Sequence, residues 1–114
     1  MIQEYLECQE KYEKEYGENT VVLWQCGSFF EVYGIDNSEK KIGKVAEVAE
    51  LLNIQMTRRN KNVLENSLSN PLLAGFNTAV IKKFLKILIQ ADFTVVLVEQ
   101  VTEPPNPKRE VTEI

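Results

Sequence analysis

Apolar residues recur at intervals of three and four in the first part of the chain, at Ile2, Tyr5, Cys8, Tyr12 and Tyr16. Positions with this spacing share one face of an α-helix, and the residues between them fall on the opposite face. The pattern therefore predicts an amphipathic helix over residues 2–16, which ends before Gly17 because glycine commonly follows the last helical turn.

Two later segments also have helical spacing. One predicts a helix over about residues 42–52. Its apolar stripe consists of Ile42, Val45, Ala49 and Leu52. The other is the strongly apolar segment 79–91, which follows Thr78. Threonine is a residue type that caps helix N-termini, so a third helix is predicted to begin there.

Runs of β-branched and aromatic residues predict the strands. The run FTVVLVEQV at 93–101 is apolar almost throughout, which is typical of a strand buried on both faces. The shorter strand predictions cover 20–25, 29–33, 54–57 and 71–75, and the last residues of the chain begin another. The predicted connections are a break or bulge at 26–28, a polar turn at 34–41, a loop at 58–70 and a proline-rich turn after 101. Because helices and strands alternate, an α/β fold is predicted.

The stretch CGSFFEVYG at 26–34 departs from the usual strand pattern. Phe30 and Val32 form one apolar face, as expected of a half-buried strand. The opposite face carries Phe29, Glu31 and Tyr33, so a carboxylate lies between two aromatic rings. The pattern alone leaves two interpretations open. Either Phe29 is a core residue beside a glutamate that an apolar core accommodates poorly, or Phe29 and Glu31 are presented together to a partner.

Composition limits the class of protein. A chain of 114 residues with 44% apolar and 26% charged residues is typical of one folded globular domain. Its net charge of −4 argues against a strong stand-alone nucleic-acid binder, because DNA affinity comes mainly from Lys and Arg at phosphates. Two cysteines, Cys8 and Cys26, are too few for a disulfide framework and suit a reducing compartment, with a single bridge left open as the alternative. They predict an intracellular protein, without indicating whether its setting is cytoplasmic, organellar or viral. With no histidine, a zinc site and histidine-dependent catalysis are excluded.

Two charged segments have ordinary and functional interpretations. Asp36, Glu39 and Lys41 are the residue types of a metal-dependent nuclease, although a solvated turn is the more ordinary reading. The densest positive patch contains Arg58, Arg59 and Lys61. It is either an exposed loop or a set of phosphate contacts.

Four motifs, taken in order, resemble the N-terminal mismatch-recognition domain of the MutS family of DNA mismatch-repair proteins. GSFFEVY at 27–33 is similar to the family's G-D-F-Y-E-L/V-F/Y, and MTRR at 56–59 is similar to its L-T-x-R. PLLAGF at 71–76 is similar to P-x-x-A-G-x-P, and VLVEQ at 96–100 is similar to V-A-I/V-x-E-Q. The order and spacing hold over nearly the whole chain, which makes the resemblance far more specific than Phe-x-Glu alone.

The chain departs from the family pattern at several positions. Ser28 replaces an aspartate, Phe30 replaces a tyrosine, and Phe76-Asn77 replace an Ile/Val-Pro pair. These departures indicate a divergent branch, of an organellar or viral kind.

The resemblance implies a mixed β-sheet flanked by about three helices, with the Phe-x-Glu strand end facing the DNA minor groove. It also implies that Phe29 is a wedge that stacks on a mispaired base and that Glu31 bonds to the same base. Ser28, Arg58 and Arg59 are the expected contacts to the DNA backbone. Gly27 is expected at a bulge or close backbone approach.

The resemblance has three further structural implications. Gly75 is expected in a turn between a strand and a helix. Gln100, with its neighbour Glu99, is expected to be satisfied by backbone groups. Residues 1–114 are expected to be a single MutS N-terminal domain, excised from a longer protein.

For function, the resemblance implies that this chain is not an enzyme and holds no metal or cofactor of its own. ATP hydrolysis, with ATP and magnesium, and dimerisation are expected in the remainder of the MutS chain. The partner is expected to be double-stranded DNA with mismatches or small loops. Two other function classes stay open, a protein-interaction α/β module without DNA contact and a nuclease-like domain.

Overall fold

The structure is a computed structural model that describes residues 2–102 and 108–114, and within them the chain forms three α-helices and seven strands. The helices are α1 (Ile2–Tyr16), α2 (Val45–Leu52) and α3 (Ile81–Gln90). The strands are β1 (Thr20–Cys26), β2 (Phe29–Asp36), β3 (Lys41–Ile42), β4 (Thr57–Arg58), β5 (Leu72–Asn77), β6 (Thr94–Gln100) and β7 (Arg109–Glu113). Most of the predicted proline-rich turn lies outside the described residues.

The strands form one mixed sheet in the order β4-β5-β2-β1-β6-β7, and β3 pairs with the far end of β2. The neighbouring strands β1 and β6 run parallel, and the other pairs are antiparallel. The predicted α/β fold with a mixed sheet and three flanking helices is therefore confirmed. None of the helices in the described part of the chain is long and apolar enough to cross a membrane.

Helix α1 covers one face of the sheet near its centre. The ring of Tyr5 meets the rings of Trp24 and Tyr33 edge-on, with centroids 6.0 and 5.2 Å apart. Its hydroxyl donates a hydrogen bond of 2.8 Å to the carbonyl oxygen of Val22. Gln9, fully buried, accepts from the amide of Val22 at 2.8 Å and donates to the carbonyl oxygen of Thr20 at 2.7 Å. These bonds fix the position of α1 along β1, because a buried polar group is costly without a partner.

Helices α2 and α3 cover the opposite face. Phe76 of β5 lies between Phe30 of β2 and Phe84 of α3, with ring centroids 6.0 and 4.8 Å apart. Leu88 of α3 and Val48 of α2 are fully buried beneath the same layer. The apolar face that the sequence predicted for Phe30 and Val32 is thus the face that α2 and α3 close.

Several predicted boundaries are wrong, and the corrections have local causes. The predicted break at 26–28 is a two-residue turn that joins β1 and β2 into an antiparallel hairpin. The predicted turn at 34–41 begins as strand, because Ile42 pairs with Ile35 and lengthens the sheet. Helix α2 consequently starts at Val45.

The start of the third helix is also displaced from its prediction. The side chain of Asn77, and not that of Thr78, accepts the capping hydrogen bond, at 2.9 Å from the amide of Ala79. A single 3-10 turn follows, and α3 begins at Ile81.

Two glycines lie in contact where β2 ends and α2 begins. Gly43 has a φ of +91°, and a Cβ added to it would lie 2.5 Å from the carbonyl oxygen of Tyr33 and 3.0 Å from the Cα of Gly34. A Cβ added to Gly34 would lie 2.7 Å from the carbonyl oxygen of Ile42. Only glycine on both sides allows the two backbone segments to approach this closely.

Candidate functional site

Phe29 is the first residue of β2, directly after the hairpin turn. Its side chain is 47% exposed, whereas that of Phe30 is 3% exposed. Cys26 lies opposite Phe29 across the hairpin, on the same face of the sheet, and is partly exposed. Helix α1 contacts β1 from Thr20, which bonds to Gln9, to Trp24, whose ring meets that of Tyr5. The end of the hairpin projects beyond these contacts. Of the two interpretations left open by the sequence, the structure favours an outward-facing Phe29.

The turn between the two strands consists of Gly27 and Ser28, both exposed. Gly27 has a φ of +61°, and a Cβ added to it would meet no atom within 4 Å. Glycine is therefore required for the backbone conformation of a tight hairpin turn, and not for a bulge or a close approach. The carbonyl oxygen of Ser28 accepts a hydrogen bond of 2.8 Å from the amide of Thr78, which ties the turn to the end of β5.

A network of side chains from distant parts of the chain braces this turn. The side-chain oxygen of Gln100 accepts from the backbone amide of Gly27 at 3.1 Å. The backbone amide of Gln100 donates to the side-chain oxygen of Gln25 at 2.7 Å. Gln25 donates in turn to the carbonyl oxygen of Gly27 at 3.1 Å. Arg109 donates to the carbonyl oxygen of Gln25 at 2.8 Å, and its guanidinium carbon lies 5.4 Å from the ring centroid of Trp24. We call Gln25, Gln100 and Arg109 the brace.

The structural role expected of Gln100 is confirmed by its bond to the turn. Sequence reasoning missed the other two members of the brace. Gln25 and Arg109 meet across 84 positions of the chain, and no local pattern marks either of them. Glu99, the neighbour of Gln100, accepts a hydrogen bond from the hydroxyl of Thr112 in β7.

Glu31 lies two residues beyond Phe29 on the same face of the sheet and is partly buried. Its Oε1 atom accepts a hydrogen bond from the hydroxyl of Tyr33. Gly75 of β5 pairs directly opposite Glu31, and a Cβ added there would lie 3.2 Å from the Cγ atom of Glu31. The expected turn at Gly75 is therefore wrong, because this glycine is a strand residue whose missing side chain leaves room for the carboxylate.

A shallow groove of about 270 Å³ opens beside Phe29 and Glu31. Its other walls include Gln55, Thr57, Lys61 and Gly75. The groove thus combines an exposed aromatic ring, one carboxylate and one ammonium group. This mixture of a flat apolar surface and charged hydrogen-bonding groups is suited to a base more than to a purely apolar ligand.

Of the three expected backbone contacts, Ser28 and Arg59 are exposed. Arg58 is held within its own loop, where it donates to the carbonyl oxygens of Val63 at 2.9 Å and Lys61 at 3.1 Å. Two of its donors therefore stabilise the loop. Contact of these three residues with DNA stays a prediction.

The loop that carries Lys61 is fixed by asparagine side chains. Asn70, which is buried, donates to the carbonyl oxygens of Glu65 at 3.0 Å and Val63 at 3.3 Å and accepts from the amide of Asn60 at 2.7 Å. The asparagine-rich composition of this loop therefore reflects internal backbone bonding.

Cys26 has two charged neighbours, Glu31 and Arg109. Burial raises the pKa of the Cys26 thiol, the charge of Glu31 raises it further, and the charge of Arg109 opposes the change. The thiol is therefore protonated at neutral pH. Cys8 is also free, so the structure contains no bridge between the two cysteines of the chain.

The acidic turn does not gather into a metal site. Lys41 lies 3.7 Å from Glu47 of α2, and Asp36 bonds through its backbone to the side chain of Asn66 at 2.6 Å. Across residues 2–102 and 108–114, no three cysteine or carboxylate side chains come together in a way that would hold an ion.

Comparison with known proteins gives a consistent result. The whole chain, residues 1–114, matches the family described as MutS domain I. A mutS homolog of Acanthamoeba polyphaga mimivirus is 36% identical over 107 residues, which cover 93% of this chain and 9% of the homolog. The DNA mismatch repair proteins MutS of Petrotoga mobilis and Thermotoga petrophila are 30% and 27% identical over 118 residues, covering 100% of this chain and 12% of each relative. The chain spans about a tenth of the length of these curated relatives.

Proposed function

Because the chain belongs to the MutS family as a MutS domain I, we propose that it recognises mispaired or unpaired bases in duplex DNA. In this proposal Phe29 enters the duplex from the minor groove and stacks on one base of the mispair. Glu31 forms a hydrogen bond with the same base. Ser28, Arg58 and Arg59 contact the DNA backbone on either side.

The observation that carries the proposal is the exposure of Phe29 at the end of a braced hairpin. Phe29 is the one phenylalanine among the large hydrophobic residues that are exposed in the described part of the chain, and aromatic residues are enriched at binding surfaces. The brace holds the turn through backbone and side-chain hydrogen bonds, so the ring is presented by a rigid element. A rigid wedge loses little conformational entropy when it binds.

Insertion of a ring offers a physical way to find errors. The minor groove cannot distinguish a base pair from its reverse, so hydrogen bonds there identify sequence poorly. A mispaired step, however, unstacks and bends at lower cost than a matched one. A protein that inserts an aromatic wedge and kinks the duplex therefore measures deformability.

A carboxylate near phosphates is repulsive, so Glu31 also opposes tight binding to matched DNA. The groove beside it leaves space for a displaced base. In the longer protein to which a MutS domain I belongs, we propose that ATP hydrolysis with magnesium, DNA clamping and dimerisation reside outside these 114 residues. The chain itself then acts as a DNA-binding domain and not as an enzyme.

The test is a titration of the chain with matched and mismatched duplexes, with and without magnesium. We expect tighter binding to the mismatched duplex in both conditions. Equal affinity for the two duplexes would overturn the proposal. Absence of any DNA binding would favour the protein-interaction module, and strand cleavage with magnesium would favour a nuclease.

We expect the isolated chain to bind DNA weakly, with a Kd of about 10⁻⁶ M or weaker for matched duplex at physiological salt. Its net charge is −4, and among its candidate contacts only Arg58, Arg59 and Lys61 are basic, so few counterions would be released on binding. Fluorescence anisotropy over a series of salt concentrations measures both the affinity and the number of phosphate contacts. Nanomolar binding of matched duplex would contradict this expectation.

Replacing the Glu31 carboxylate should reduce the preference for mismatched over matched DNA, mainly because matched DNA is then bound more tightly. The carboxylate repels nearby phosphates, and in matched DNA no displaced base offsets that repulsion. Glu31→Gln keeps a hydrogen-bonding group and removes the charge, so it should tighten binding to matched DNA more than binding to mismatched DNA.

The measurement for Glu31→Gln is the affinity for both duplexes, in the wild type and in the variant. Gln55→Ala in the same groove is the matched control, because it changes a groove wall without changing charge. The same matched-to-mismatched affinity ratio in wild type and Glu31→Gln would show that Glu31 has no part in recognition.

A further inference from the structure

Tyr33 lies on the same face of β2 as Phe29 and Glu31, but it is 3% exposed. Its ring packs edge-on against the ring of Tyr5, at 5.2 Å and an angle of 81°. Helix α1 thus buries the body of Tyr33, while the hydroxyl reaches Oε1 of Glu31. A buried, immobile side chain is in this way joined directly to the carboxylate at the edge of the groove.

The direction of this hydrogen bond follows from the chemistry of the two groups. Burial raises the pKa of Tyr33 far above its ordinary value, and the hydrogen bond and charge of Glu31 add to the rise. Tyr33 therefore keeps its proton and is the donor. An ionised carboxylate only accepts.

Tyr33 occupies Oε1, and the thiol of Cys26 at the end of the hairpin is also in hydrogen-bonding contact with the carboxylate. Oε2 would lie 3.7 Å from a Cβ added at Gly75, on the side where that glycine opens the groove. One oxygen is thus held by Tyr33, and the other faces the space beside Phe29. A glutamate has three rotatable bonds, and fixing its carboxylate before binding removes an entropy cost from recognition.

Other charged groups lie near the same carboxylate. Arg59 lies close enough to act on Tyr33, and Lys61 is in the wall of the groove. Without the hydroxyl of Tyr33, the carboxylate is free to turn towards these groups and away from the position beside the wedge.

We propose that Tyr33 is a positioning residue for mismatch recognition, which holds Glu31 so that its second oxygen meets the base on which Phe29 stacks. The proposal rests on the proposed function of Phe29 and Glu31, and it adds a residue that never touches DNA.

The test compares Tyr33→Phe with Tyr5→Phe in the 114-residue chain. Both variants delete one buried hydroxyl from the same pair of packed rings, but only Tyr33 bonds to Glu31. In Tyr33→Phe we expect the matched-to-mismatched affinity ratio to change by about fivefold towards unity, the factor of one ordinary hydrogen bond. Tyr5→Phe should keep the wild-type ratio.

A second background shows whether Tyr33 acts through Glu31. The double variant Glu31→Ala/Tyr33→Phe should have the same matched-to-mismatched affinity ratio as Glu31→Ala alone. The ¹³C NMR signal of the Glu31 carboxyl carbon in the free chain supplies a readout without DNA. It should shift in Tyr33→Phe and stay in place in Tyr5→Phe.

The outcomes separate the two proposals. If the signal of the Glu31 carboxyl carbon does not shift in Tyr33→Phe, the positioning role is overturned, whatever the DNA affinities are. A wild-type ratio in Tyr33→Phe also overturns it when Phe29→Ala has removed discrimination. If Phe29→Ala and Glu31→Ala both keep the wild-type ratio, the proposed function has failed, and the bond from Tyr33 is structural only.

Discussion

We expect Phe29→Ala to remove the preference for mismatched over matched duplexes while the domain stays folded. The ring is 47% exposed, so its truncation leaves no closed cavity, and the free energy of unfolding should fall by only about 1 kcal/mol. Base stacking on an aromatic ring contributes about 1–3 kcal/mol. Its loss should bring the two duplex affinities together. Affinity for both duplexes and thermal unfolding of the same preparation measure the two effects.

Phe30→Ala is the matched control for this prediction. It truncates the same residue type one position later, but Phe30 is 3% exposed and packs against Phe76. Deleting a buried phenylalanine ring costs about 3–5 kcal/mol. A fall in stability of that size in Phe29→Ala would show that Phe29 is packed inside, and the wedge assignment would be wrong.

Gly43→Ala is expected to destabilise the domain by about 3 kcal/mol or more, because two effects combine. Alanine adopts the φ of +91° at Gly43 with strain, and its Cβ would lie 2.5 Å from the carbonyl oxygen of Tyr33. The opposing atom is backbone, so it cannot move aside as a flexible side chain would. Urea unfolding, followed by circular dichroism, measures the loss.

Two other glycines separate strain from collision. Gly17 has a φ of +110° and open space around it, so Gly17→Ala tests strain alone, with a cost of about 1–2 kcal/mol. Gly34 lies outside the left-handed region, so Gly34→Ala tests mainly the collision with Ile42. If Gly43→Ala costs no more than Gly17→Ala, the contact between β2 and the start of α2 does not determine the fold.

Elements with long, regular patterns were predictable from the sequence. The first helix has the predicted bounds of residues 2–16, because its apolar positions keep helical spacing over four turns and glycine follows them. The apolar run at 93–101 gives β6, Thr94–Gln100, for a similar reason. In both cases local preference and tertiary packing favour the same structure.

The boundaries that failed depend on partners distant in the chain. Ile42 fits the apolar stripe of a helix, but pairing with Ile35 places it in a strand instead. Gly75 resembles a turn residue, yet it pairs with Glu31 in the middle of β5. A glycine that makes room for a neighbour and a glycine that makes a turn look alike in a single sequence.

The motif led to Phe29 and Glu31 as candidate residues, and their contact with DNA stays a prediction. The strand pattern alone left the direction of Phe29 open, because it depends on how far α1 extends over the sheet face; the resemblance implied the exposure that the structure has. No pattern indicated the bond from Tyr33 to Glu31, which requires Tyr33 to be buried by a helix from another part of the chain.

The surroundings of Trp24 make its fluorescence an intrinsic probe of the hairpin. It is the single tryptophan in the sequence, it is 6% exposed, and it pairs directly opposite Glu31. Its indole nitrogen has no hydrogen-bond partner among the described residues, and the charge of Arg109 lies over its ring. The emission of a buried indole depends on the electric field of nearby charges, and here one charge, Glu31, lies in the hairpin and the other, Arg109, lies in the brace. We therefore expect DNA binding at the hairpin to shift the wavelength of Trp24 fluorescence, so binding can be followed without an added dye or a substituted residue.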